Sequence, residues 1–270
     1  MRLSRNQKIK TVLLRVSHRI NELCQASNQI APPDYLSSQY GGGSYFEIGL
    51  HFFRLLLDQC DIKRDSHVLE VGCGIGRMAM PLTAYLGPKA RYEGFDIMPV
   101  GIDYCARHLT PAFPVFSFQR ADIFNSYYNP SGSARVETYT FPYPDKSFDV
   151  VFSTSVFTHL PPAGVERYIQ ETARVLKPGG RCLHTCFMLN AESRAGIEKG
   201  LDPYGFRYQM DGFMTNNLKN IEDAVAMPEE MFIDLFAKAR FDRLLRLYGS
   251  WSGRSGELLS HQDICVATRL

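Results

Sequence analysis

The sequence has 270 residues, 45% of them hydrophobic and 21% charged, with 30 lysines and arginines against 28 aspartates and glutamates. That balance excludes general disorder, which goes with few apolar residues and a large net charge, and it excludes the strongly basic face of a general nucleic-acid binder. The length suits one large domain or a core domain with insertions, and no apolar run approaches the roughly 18 residues that suggest a membrane span.

Along the chain, residues 5–24 place Ile9, Val12, Leu13, Val16, Ile20 and Leu23 at three- and four-residue spacing, which predicts an amphipathic helix. Its other face is basic: six lysines and arginines and no acid stand in the first twenty residues. Such a face suits a helix laid on the main domain with a solvated outer side, or an anionic partner. Arg15 and Arg19 break the apolar run and no small-residue cleavage site follows, so the expectation is a cytoplasmic protein without a signal peptide. Ala31-Pro32-Pro33-Asp34 and Gly41-Gly42-Gly43-Ser44 mark a breaker-rich connection, and 46–60 then reads as a helix.

Short apolar strands at 67–71, 91–96, 115–121, 148–153 and 181–188 alternate with helical patterns at 76–86, 99–109 and 162–176. This alternation predicts an α/β fold built on a Rossmann-like, doubly wound sheet. A polar, glycine-bearing stretch runs from 189 to about 225. Pro228-Glu229-Glu230 then opens a helix, followed by strands near 242–248 and 263–269. The seven cysteines are odd in number and form no CxxC pair, which reads as small buried hydrophobes in a reducing compartment. No clustered histidines and carboxylates suggest a metal.

The most informative segment is His67-Val-Leu-Glu-Val-Gly-Cys-Gly-Ile-Gly-Arg77. A strand runs into Gly72, Gly74 and Gly76, and a helix is expected immediately after, with its N–H groups turned to a ligand. Such a turn marks the switch-point crevice of a doubly wound sheet. The dinucleotide fingerprint would need its third glycine at 77, where the chain has Arg77. Glu70, two residues before the first glycine, would repel a pyrophosphate and suits an ammonium or sulfonium ligand. S-adenosylmethionine is favoured over NAD on that ground. Asp96, 20 residues past Gly76, closes the second strand, where an acid accepts ribose hydroxyls. Asp122 ends the third strand and is placed to accept from an adenine amino group, with Ile97 and Ile123 on either side of the ring.

With these motifs, and with Phe141-Pro-Tyr-Pro-Asp-Lys-Ser-Phe-Asp-Val-Val-Phe-Ser153, Val156-Phe-Thr-His-Leu160 and Ala173-Arg-Val-Leu-Lys-Pro-Gly-Gly-Arg181, the chain resembles the class I S-adenosylmethionine-dependent methyltransferases. The resemblance covers about 65–188 and extends over 228–270. It implies a seven-stranded sheet with an antiparallel last strand. Residues 1–64 become a helical N-terminal extension or lid, and 65–270 a methyltransferase domain with substrate-facing insertions at about 125–147 and 189–227. It also implies that Gly72 and Gly74 lie under the methionine moiety near Glu70, that Asp96 holds the ribose, that Asp122 and Ile123 read the adenine, and that Ser153 faces the methionine part. Ser44 and Tyr45 would close over the cofactor from the N-terminal side.

A hydroxyl acceptor needs a base to take its proton, whereas an amine need only arrive neutral. His159, in the loop after the fourth strand, is the first candidate; His261 and His184 are alternatives, His184 being expected to face the sheet packing. Aromatic residues in both insertions, among them Tyr127, Tyr128, Tyr204, Phe206 and Phe213, and the Ser250-Trp251-Ser252-Gly253 loop are candidate acceptor walls. The expected function is O-methylation of a sugar or natural-product hydroxyl. N-methylation of a small amine and a non-catalytic scaffold that binds the cofactor are the alternatives; a dehydrogenase fails at Arg77. Expected partners are a small-molecule or glycan acceptor and a second copy of the chain, with neither nucleic acid nor a stably inserted membrane segment.

Overall fold

The computed structural model describes residues 4–26 and 30–270. The chain divides into two compact units, Met1–Ala121 and Asp122–Leu270. The helical extension expected over 1–64 and the glycine-turn strands therefore belong to one unit.

The first unit contains α1 (Arg5–Ala26), α2 (Asp34–Ser37), α3 (Tyr45–Gln59), β1 (His67–Val71), α4 (Ala79–Thr83), β2 (Arg91–Asp96), α5 (Pro99–His108) and β3 (Phe116–Arg120). β2 pairs in parallel with β1 and β3, which sets Glu70 opposite Gly94 and Asp96 opposite Arg120. α1 turns Val16 and Ile20 inward. α3 begins where the Ser44 hydroxyl accepts the Glu47 N–H, a cap worth about 1 kcal/mol. It buries Phe53, Leu55 and Leu56, each burial contributing roughly 1.5–3 kcal/mol. Gly49 lets α3 lie against the turn after β1, since a Cβ there would stand 2.5 Å from the Arg77 carbonyl oxygen.

The helix expected over 76–86 shrinks to α4. Gly74 and Gly76 hold φ of 52° and 75°, outside the right-handed helical region, and Pro81 has no N–H to donate. A helix therefore does not open at the last glycine as the sequence suggests; turn residues separate the two.

The second unit contains β4 (Phe148–Ser153), α6 (Pro162–Val175), β5 (Leu176–Cys186), β6 (Met188–Leu189), α7 (Ala191–Glu198), β7 (Tyr208–Gln209), β8 (Met214–Thr215), β9 (Val225–Pro228), α8 (Glu229–Lys238), β10 (Leu245–Leu247) and β11 (Asp263–Thr268). β5 starts earlier than the hydrophobic run, because Leu176 already pairs with Phe148 before a register shift. The stretch after Leu189, polar in sequence, is structured. α7 is closed by a capping box between Asn190 and Ser193, and β6-β9-β8-β7 form a small sheet. Two-residue strands carry no alternation that a sequence could display. Phe187, Leu189, Phe206, Ala224, Ala226 and Trp251 form the core behind this sheet.

The main sheet has seven strands in the order β10-β11-β5-β4-β1-β2-β3, with β11 antiparallel to both β5 and β10. This is the doubly wound architecture with an antiparallel last strand that the motifs imply. Among the described residues no helix is long and apolar enough to cross a membrane.

Candidate active site

In the first unit the chain leaves β1 at Val71 and turns sharply. The Gly72 and Cys73 N–H groups both donate to the Phe95 carbonyl, at 2.8 and 3.0 Å, tying the turn to the end of β2. Three glycines at positive φ make this geometry free of strain, at 75°, 52° and 75° for Gly72, Gly74 and Gly76. Asp96, at the carboxyl end of β2, accepts from the Gly74 N–H at 2.7 Å and the Met98 N–H at 2.8 Å, one on each oxygen. Burial pushes its carboxyl pKa up, and the Met98, Gly74 and Ile97 N–H groups oppose that rise. With three N–H donors on about four acceptor sites, the carboxylate keeps one lone pair for a hydroxyl donor. Ile97 follows it half-buried.

Glu70 is buried and accepts a hydrogen bond from the Tyr92 hydroxyl. Burial holds its carboxyl well above the usual carboxylate range, with the Tyr92 hydroxyl opposing and the Asp96 carboxylate adding to the shift. Tyr45 differs from its expected place: its hydroxyl is buried and donates towards the Ile75 and Gly76 carbonyls, at 3.2 and 3.0 Å, so it braces the turn's main chain. Ser44 serves as the cap of α3.

The side chain lying on the turn is Tyr40. Its ring would stand 2.9 Å from a Cβ at Gly74, and its hydroxyl lies against the Gly101 main chain, which donates towards it. Arg77 then secures this segment. Its guanidinium donates to the carbonyls of Gly41 at 2.9 Å and of Ser37 and Gly42 at 3.4 Å. Sequence reasoning used Arg77 only to exclude a dinucleotide and passed over Tyr40; a tyrosine directly before the Gly41–Gly43 run was the one available signal. A glycine turn without Cβ atoms beside an aspartate that keeps a free lone pair fits an adenosyl ligand with a ribose hydroxyl.

In the second unit, Asp122 is exposed and accepts from the Ser133 hydroxyl at 2.6 Å. Ile123 is buried, and its carbonyl accepts from the Asn129 amide at 2.9 Å. Ser153 is fully buried and hydrogen-bonds to His184 Nδ1 at 2.8 Å. Its hydroxyl is thus turned into the sheet packing, away from the cofactor-facing role that the resemblance implies. His184 stacks on Phe157 with ring centroids 4.6 Å apart, and burial pushes its pKa down to about 3.

A histidine whose folded pKa lies below its unfolded value stays neutral in the native state while the unfolded chain takes up protons. Its contribution to stability is complete above about pH 6.5 and is lost as pH falls from there towards 3. His184→Phe is accordingly expected to flatten the acid side of a melting-temperature profile. An unchanged profile between pH 6.5 and 4 would assign the acid sensitivity to other groups.

His159 lies in the 3-10 turn Phe157–His159, just after Ser155, which adopts φ of 56°. Its Nδ1 faces the Glu222 carbonyl at 2.9 Å. A carbonyl only accepts, so Nδ1 carries the proton and the neutral ring presents Nε2 as its acceptor. Burial lowers the pKa below the ordinary histidine value, with the Glu222 and Asp223 carbonyls opposing. Tyr128 meets the ring edge to face at 5.3 Å. His261 is exposed, 3.2 Å from the Ser250 hydroxyl and beside the Tyr204 ring.

The aromatic walls divide. Trp251 is fully buried and its Nε1 donates to Asp263, so it is a core residue and not an acceptor wall. Phe206 and Phe213 are buried as well, whereas Tyr204, Tyr208, Met210 and Met214 keep partial exposure. Among the described residues no group of three or more histidines, cysteines and acids is arranged to hold a metal ion.

A family model described as a methyltransferase domain matches residues 68–180. The chain is similar to phthiotriol/phenolphthiotriol dimycocerosates methyltransferase 1 of Mycobacterium ulcerans, 37% identical over 120 residues, which cover 44% of this chain and 37% of that protein. The matched stretch spans 37–43% of the length of the mycobacterial relatives. An aklanonic acid methyltransferase of Streptomyces is 26% identical over 234 residues, covering 84% of this chain and 88% of that one. In fold, a solved protein of Pyrococcus horikoshii matches with a TM-score of 0.58 at 15% identity, over 92% of this chain and 99% of its own.

Proposed function

We propose that the chain is a class I S-adenosylmethionine-dependent methyltransferase, a reading supported by the methyltransferase domain matched over residues 68–180, and that it methylates a hydroxyl of a small organic acceptor. S-adenosylmethionine is its cofactor and, when bound, supplies a methyl carbon activated by a sulfonium. Asp96 would hold the ribose, with the Gly72–Gly76 turn under the methionine part and Tyr40 over it. Glu70, whose carboxyl pKa burial raises, would be drawn towards its charged form beside a cationic ligand. Asp122 and Ile123 would line the nucleobase. These parts mainly bind and orient, which is most of what an in-line displacement asks of a protein.

The observation that carries the acceptor assignment is the 2.9 Å contact of His159 Nδ1 with the Glu222 carbonyl. A ring with Nδ1–H fixed on a carbonyl and an Nε2 lone pair is equipped to receive a hydroxyl proton. The relatives are named for acceptors such as phthiotriol and aklanonic acid, which supports a small molecule. A sugar hydroxyl is a narrower form of the same proposal. The direct test is transfer of labelled methyl from S-adenosylmethionine to panels of hydroxylated lipids, aromatic natural products, monosaccharides and small amines. Labelling confined to amines would overturn the hydroxyl assignment, and no labelling with saturable cofactor binding would favour a scaffold.

The cofactor side is checked by calorimetry. S-adenosylmethionine and S-adenosylhomocysteine are expected to bind and NAD to be silent. Asp96→Ala is expected to weaken S-adenosylmethionine binding by about 1–3 kcal/mol, a rise in Kd of roughly 5- to 150-fold. Asp96→Asn should lose less, since it still offers one oxygen to hydroxyl donors. Wild-type affinity in Asp96→Ala would remove the ribose assignment.

A further inference from the structure

His159 Nδ1 is directed by the Glu222 carbonyl, 63 residues further along the chain, with the Asp223 carbonyl also acting on the ring, and something must hold that stretch in place. Glu222 sits in the loop before β9 and is itself buried, although it is a carboxylate. Its Oε2 accepts two hydrogen bonds from Ser126, from the N–H at 2.7 Å and from the hydroxyl at 2.5 Å. Asn220 Oδ1 stands 2.7 Å from the same hydroxyl, so two side chains of this loop converge on one serine.

Ser126 is well fixed in turn. The Asn125 side chain accepts the Tyr127 and Tyr128 N–H groups at 3.1 and 2.8 Å, and Asn125 and Asn129 exchange two main-chain bonds at 3.2 and 3.1 Å. The same 125–129 turn delivers Tyr128 to the edge of the His159 ring. One tight turn therefore contacts the histidine directly through Tyr128 and anchors its hydrogen-bond acceptor through Ser126 and Glu222.

We propose that Glu222 is a positioning residue: its side chain, clamped by Ser126, aims its own carbonyl at His159 Nδ1 and so keeps Nε2 the proton-accepting nitrogen. The inference rests on the reading of His159 as the base. Without the Glu222 side chain the loop is held to Ser126 only through Asn220, the Glu222 carbonyl is no longer fixed, and the ring can rotate or exchange tautomers. The carboxylate makes two charge-assisted hydrogen bonds here, which is why a buried acid at this position is tolerated.

The test uses the full chain with ¹⁵N-labelled histidine. His159→Ala identifies the His159 resonances among the seven histidines. Wild type is expected to show His159 as the Nδ1–H tautomer at pH 8. Glu222→Ala should convert it to a mixture or to Nε2–H, Ser126→Ala should do the same, and Glu222→Gln, whose amide oxygen can still accept from Ser126, should restore the wild-type pattern. If Glu222→Ala does not fold, the exposed Ser126→Ala carries the comparison.

In methyl transfer to the hydroxyl acceptor found from the panel, Glu222→Ala is expected to lower kcat by about tenfold or more, while the Kd for S-adenosylmethionine stays within about twofold. In the His159→Ala background the same change should add nothing, because both act through one group. An unchanged tautomer in both Glu222→Ala and Ser126→Ala, or fully additive rate losses, overturns the positioning role. Wild-type turnover in His159→Ala alone is a different failure: it removes the base reading, whatever the spectra of Glu222→Ala show.

Discussion

Replacing Asp263 with alanine is expected to lower the unfolding free energy by about 3–5 kcal/mol, because it removes the buried counter-charge of Arg254, leaving only the exposed Glu192, and strips three further buried donors of their acceptor. Asp263 is fully buried at the start of β11. Its Oδ1 accepts from the Gly249 N–H at 2.7 Å and Arg254 Nη1 at 3.0 Å. Its Oδ2 accepts from the Met188 N–H and Trp251 Nε1, both at 2.7 Å. Burial raises this carboxyl's pKa, and those four donors pull the other way. Arg254 is itself held by Glu192 at 3.0 Å and Asn190 Oδ1 at 2.9 Å, with the Tyr248 ring beneath it. One residue thus joins β11 to β6, the 249–254 loop and the cap of α7. Urea titration with and without Arg254→Met gives the measurement. A loss under about 1 kcal/mol in Asp263→Ala would show that solvent enters and replaces the carboxylate. The double variant should recover part of the loss, since it no longer buries a guanidinium whose buried partner is gone.

His159→Ala is expected to reduce kcat by roughly 10²- to 10⁴-fold with the Kd for S-adenosylmethionine nearly unchanged, the range that a positioned general base contributes. The base works only when unprotonated. Burial lowers the His159 pKa below 6.5, so the rate should rise with pH through a value under 6.5 and be level at neutrality. His159→Ala should lose that acid limb along with the rate. Wild-type turnover in the variant would move the base to His261, which is exposed beside Ser250 and Tyr204, or would mean that the acceptor needs none.

The two predictions draw on opposite kinds of information. His159 could be singled out before any coordinates, because it follows a recognisable strand at a known place in the alternation. Asp263 could not. In the sequence it is one acid ahead of a short apolar run, and its four partners come from positions 188, 249, 251 and 254.

Sequence alone determined the alternation of strands and helices, the turn through Gly72, Gly74 and Gly76, and the aspartate closing the second strand. These depend on side-chain period and on φ values that only glycine reaches without strain, and both are properties of a few neighbouring residues. Tertiary structure decided which way each candidate faces. Ser153 meets His184 across 31 residues, and Arg77 reaches the Ser37–Gly42 carbonyls across 35 to 40. Trp251, promising as an exposed wall, is drawn into the core by a carboxylate and two phenylalanines. Hydrogen-bond satisfaction of buried polar groups is settled only when distant segments pack together, so no local pattern announces it.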